Sequence, residues 1–92
     1  MSVTFIGGVS GNRKTDNKPF YLLQFAVPPS VPRDGLIGYE VANIYLSDRS
    51  ITGKTAIDVF QDFKDHAKVL ASYPNIQVHY SRGGWDLINY KF

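Results

Sequence analysis

The chain has no cysteine. Disulfide staples and thiolate metal sites are therefore excluded, and no redox compartment is inscribed in it. Long apolar runs are missing too: none approaches the ~18 residues that a membrane-crossing helix needs. The opening MSVTFIGGVSG lacks the basic start and extended apolar stretch of a secretory signal. A cytoplasmic protein with no membrane partner is the expectation. An excess of one charge is also lacking. Ten Lys and Arg stand against eight Asp and Glu, a net of +2, which permits a nucleic-acid partner without demanding one. Ninety-two residues leave room for one domain, residues 1–92. A chain of that size buries roughly 60–65% of its unfolded surface. It has no second layer to wall a deep catalytic cleft.

Apolar residues and rings are plentiful. Hydrophobic residues make up 43%, which argues against disorder. Aromatics reach 14%, with six Tyr, six Phe and one Trp. The charge is unevenly spread. Arg13, Lys14, Lys18 and Arg33 face only Asp16 in the first third, whereas the middle, with Asp34, Glu40 and Asp48, is acidic. Positive charge therefore gathers in one early segment.

SVTFIGGVS reads as a strand, with a bulge or bend at Gly7-Gly8. GNRKTDNK has loop chemistry. FYLLQFAV is an apolar run of strand length, and PPSVPRDG is a stiff connection. GYEVANIYLS alternates, with Ala42, Ile44 and Leu46 on one face and Tyr39, Val41, Asn43 and Tyr45 on the other. Ala56, Val59, Phe60, Phe63, Ala67 and Leu70 recur at helical period, which predicts one helix near residues 55–71. Thr55 and Asp58 fit a capping box, and Tyr73-Pro74-Asn75 is the expected stop. NIQVHYS and DLINYKF follow as two strands joined at a Gly83-Gly84 turn. Three strands, a helix and two strands predict an all-β domain with one helix. That is the order of a five-stranded OB-fold Greek-key barrel, β-β-β-α-β-β. Phe60 and Phe63 would plug one end.

Several constellations fail their own chemistry. Gly53-Lys54-Thr55 looks like the tail of a phosphate loop, but position 48 is Asp rather than Gly. Asp58, Asp62, Asp65 and His66 lie opposite the Phe60/Phe63 stripe, as a solvated helix face does. Zinc takes three or four ligands, and His79 is the sole further strong donor, on a distant strand. Ser10 sits in a near G-x-S-x-G, broken by Asn12, with no patterned acid-base partner. No catalytic, metal or cofactor site is predicted, and the chain does not read as an enzyme.

Arg13 to Tyr21 carries the sharpest signal. Arg13, Lys14 and Lys18 run directly into Phe20 and Tyr21. Cations that follow phosphates beside rings that stack on unpaired bases are how single-stranded nucleic acid is held. Strands two and three form the usual ligand face of an OB-fold, which adds Tyr39 and Tyr45. Arg82 and Trp85 at the last hairpin could extend the surface. Both faces of FYLLQFAV are apolar, so some rings must meet a ligand or a second subunit.

Gly8-Val9-Ser10 followed by Lys18-Pro19-Phe20-Tyr21-Leu22 resembles the first hairpin of the filamentous-phage helix-destabilising proteins. Ile76-Gln77-Val78-His79-Tyr80 and Leu87-Ile88-Asn89-Tyr90 look like their closing hairpin. These are small dimeric OB-fold proteins that coat single-stranded DNA during replication. The resemblance implies a phosphate role for Lys18, a stacking role for Phe20, support from Arg13 and Lys14, and a homodimer. The clear helix and the Pro-rich middle depart from the family. The expectation is a single-stranded DNA-binding protein of a phage or mobile element that reads little sequence, with RNA served by the same chemistry. An OB-type protein-interaction module of a phage or plasmid assembly is the alternative.

Overall fold

The computed structural model describes residues 2–28, 34, 35 and 37–92. Most of the expected Pro-rich connection lies outside them. The chain folds as β1 (Val3–Asn12), β2 (Pro19–Val27), β3 (Glu40–Tyr45), α1 (Ala56–His66), β4 (Ser72–Tyr73), β5 (Gln77–Ser81) and β6 (Gly84–Asn89). It is mostly β with one short helix. The strands form an antiparallel four-stranded sheet in the order β3-β2-β1-β4 and a separate β5-β6 hairpin. β6 lies against β3 without joining its ladder.

Alternation sets the two faces of the large sheet. Leu23, Phe25 and Val27 of β2 and Ala42 and Ile44 of β3 are buried, and Leu46 continues that row. Val41, Asn43 and Tyr45 point outward and are exposed, as the period of two requires. β1 follows the same rule through Val3 and Phe5. The register then shifts between Phe5, opposite Phe25, and Gly7, opposite Gln24. That is the expected irregularity. Gly8 beyond it has a packing reason to lack a side chain. A Cβ there would come within 2.9 Å of the Leu22 carbonyl oxygen and 3.2 Å of the Phe60 ring.

α1 starts as the sequence predicts. Thr55 accepts from the Asp58 amide and Asp58 returns the bond to the Thr55 amide, so two orphan donors are satisfied. The predicted extension to residue 71 is corrected. The helix ends at His66, Ala67 is extended, and Leu70 has a φ of 66° and is 75% exposed. Its amide bonds the Phe5 carbonyl and the Phe5 amide bonds Ala71. The backbone leaves the helix to pair with β1, and this continues into β4, a strand that lies at the expected helix stop. The last hairpin is also corrected. Ser81 pairs with Gly84, so the turn residues are Arg82 and Gly83, with φ of 51° and 77°. Positive φ at both central positions is the type I′ pattern.

Phe63, 1% exposed, is the centre of the core. Its ring lies 5.5 Å from Phe5, 5.7 Å from Phe25 and 5.0 Å from both Tyr90 and Phe92. Much of the aromatic excess is thus core. Phe60 is half-buried, 5.4 Å from Tyr21.

Candidate nucleic-acid interface

The hairpin between β1 and β2 is held by its own backbone. The Arg13 amide donates to the Lys18 carbonyl at 2.8 Å and the Asn17 amide to the Arg13 carbonyl at 2.9 Å. Asn17 has a φ of 56°, which Asn tolerates better than most residues. The Asp16 carboxylate accepts from the Lys18 amide at 3.1 Å and lies 3.8 Å from the Arg13 guanidinium. Asp16 thus shapes the loop and offsets part of its charge. Lys14 and Lys18 are exposed and make no ion pair among the described residues.

Phe20 enters β2 opposite Gly11. Its ring lies over that glycine, where a Cβ would come within 3.2 Å of ring carbon Cε1. On its other side Tyr45 meets it edge-on at 6.4 Å. Arg13, Lys14, Thr15, Phe20 and Tyr45 line one cleft of about 440 Å³. Tyr45 is 67% exposed. From this cleft the outer face runs on through Val9 and Leu22, paired across the ladder, to Gln24 and Asn43. The Gln24 amide donates to Asn43 at 2.8 Å.

Of the eight residues expected to form the site, Arg13, Lys14, Phe20 and Tyr45 share this cleft, and Lys18 closes the same hairpin. Tyr39 is exposed just before the opposite end of β3. Arg82 and Trp85 belong to the separate β5-β6 hairpin. Trp85 packs against the core and edge-on to Tyr80 at 5.2 Å. Its indole N–H is buried and meets no acceptor among the described residues. Gly11, Thr15 and Asp16 were missed as site residues. Strand parity gives Gly11, because a residue opposite Phe20 on the same face must accommodate its ring.

A second cluster is structural. Asp62, expected to be solvated, accepts from the Tyr90 hydroxyl and, at 2.9 Å, from Lys54 Nζ. Lys54 also reaches Tyr90 Oη at 2.9 Å and lies over its ring. The Tyr90 hydrogen bond, then Lys54, hold the Asp62 carboxyl below its ordinary range. Burial, then Asp62, push the Tyr90 hydroxyl up. The same partners raise Lys54. The cluster ties α1 to the chain end. Among the described residues no group of three His, Cys, Asp or Glu is placed to hold a metal ion, and no helix is long and apolar enough to cross a membrane.

No protein-family description, curated protein or solved structure matches the chain.

Proposed function

We propose that this chain is a non-enzymatic single-stranded DNA-binding domain of a phage or mobile element. The observation that carries this reading is the cleft where Arg13, Lys14 and Thr15 meet the rings of Phe20 and Tyr45. Phosphates would follow the loop cations while bases stack on the rings, and little sequence would be read. The outer face of β2 and β3 continues the path. The likeness of this hairpin to that of the filamentous-phage helix-destabilising proteins supports the same role. The three-stranded meander and the approach of β6 to β3 support an OB-type barrel. We take that barrel as the finer description of the fold.

Fluorescence anisotropy of labelled oligo-dT, titrated at several salt concentrations, tests the function. Log affinity should fall linearly with log salt, by about 0.7 for each phosphate neutralised on a single strand. A flat salt response or no binding overturns the reading. The exposed Ile37, Tyr39 and Val41 favour a homodimer with two basic hairpins on one particle. Sedimentation should show it at tens of micromolar, the range of a weak interface. If oligo-dT does not bind, these exposed apolar residues favour the protein-interaction module.

A further inference from the structure

Beyond the shift at Gly7, β1 has a ladder on one side only. β2 accompanies it to Asn12, whereas β4 covers Val3 and Thr4. The bonds from Leu70 and Ala71 stop at Phe5. From Gly7 to Asn12 the other edge has no strand neighbour among the described residues. Alternation fixes which groups point there. The Arg13 amide bonds Lys18 across the hairpin, so Gly11 and Val9, two and four residues back, also face β2. Gly8, Ser10 and Asn12 therefore turn their N–H and C=O groups to the open edge. Natural edges are blunted by charge or proline. Residues 7–12 contain neither.

A groove of about 530 Å³ runs beside this edge. Residues Gly7 to Ser10 form one wall, Leu23, Phe60 and Phe63 lie in it, and Lys64 and Val69 stand at the helix side. Lys64 is its one charged lining residue among those described, and it makes no ion pair among them. Strand addition needs this combination: backbone groups for affinity and a side-chain groove for specificity.

We infer that the groove takes an extended segment of a partner protein as a further strand beside β1. Its backbone would pair with Gly8, Ser10 and Asn12. Alternate apolar side chains would enter over Phe60 and Phe63, and an acidic residue would meet Lys64. The unpaired cation fits an acidic segment of a partner protein and not a β1-to-β1 contact between two copies, because β1 carries no carboxylate to offer it. The site lies between β1 and α1, apart from the hairpin cleft, and the inference stands whether or not the cleft binds DNA.

The test is calorimetry with a capped seven-residue peptide of threonine alternating with valine, valine and glutamate. A counterpart has lysine in place of the glutamate. The glutamate peptide should bind and slow amide exchange at Gly8, Ser10 and Asn12. Ser10→Pro removes an edge donor without touching the β1-β2 ladder. If its melting transition matches the parent, it should bind about fivefold more weakly, the loss of roughly one hydrogen bond. Lys64→Glu should reverse the preference between the two peptides, and the parent's oligo-dT affinity should not respond to either peptide. No binding up to about 1 mM, the weakest affinity of interest, overturns the inference. So does equal binding of both peptides, or undiminished binding by folded Ser10→Pro. A parent dimer that Ser10→Pro dissociates overturns it as well, since a second copy would then hold the edge.

Discussion

Phe20 reaches its position because Gly11 opposite leaves room for its ring. Phe20→Ala should cost about 1–3 kcal/mol of oligo-dT binding, the worth of one stacked base. Its salt slope should stay as in the parent, since no charge is removed, and Phe20→Tyr should bind as the parent does. Lys18→Ala should do the opposite, lowering the slope by roughly 0.7. Asp16→Asn keeps an acceptor for the Lys18 amide while freeing Arg13. It should tighten binding and steepen the salt dependence in the same titration. These cations and rings were legible because charge and aromatics adjoin in the sequence. Gly11 was not, because its loop-like neighbours hid a strand that runs to Asn12. Trp85 reads alike in sequence whether exposed or packed. The fold engages it with Tyr80 and the core, and Trp85→Phe should leave oligo-dT affinity nearly unchanged.

α1 shows where periodicity is enough and where it misleads. Thr55 and Asp58 form the expected box, and Thr55→Ala should cost about 1 kcal/mol in denaturant unfolding. Phe63 is central among five rings, and Phe63→Ala should cost about 3–5 kcal/mol by the same measurement. Ala67 and Leu70 continue the apolar spacing, yet the helix stops at His66: the Lys68 amide donates to the Tyr73 hydroxyl, and Leu70 and Ala71 bond Phe5. That competition is tertiary, and no local pattern announces it. Asp62 is similar. Its spacing marks a solvated face, but Lys54 reaches it from just before the N-cap and Tyr90 from a distant segment. The sign of its pH effect follows. A carboxyl held low in the fold contributes stability above its unfolded value, near 3.8, and loses it as pH falls through the folded value. Lys54 and Tyr90, both raised, lose theirs as pH climbs beyond their unfolded values of 10.5 and 10.0. Thermal melts of Asp62→Asn against the parent should therefore show a shallower acid limb in the variant.

At the scale of the molecule, one sheet separates two environments. Its inner face packs on the rings around Phe63, and its outer face carries Val9, Tyr45 and Val41 to solvent beside the basic hairpin. The net charge of +2 is small because the acidic middle, with Asp34, Glu40 and Asp48, offsets the basic first third, while the hairpin keeps Lys14 and Lys18 free of ion pairs among the described residues. Five of the six strands, their faces and the helix start were legible from alternation and capping, whereas the two-residue β4 was not. The division into two hydrogen-bonded sheets was not, since pairing between distant segments leaves no local period. The most direct test is to map oligo-dT onto the isotope-labelled protein by amide chemical shifts. The expected changes centre on Gly11–Leu22 and the Tyr45 end of β3, leaving α1 unmoved. Changes centred on α1, or none at saturating oligo-dT, would contradict the account.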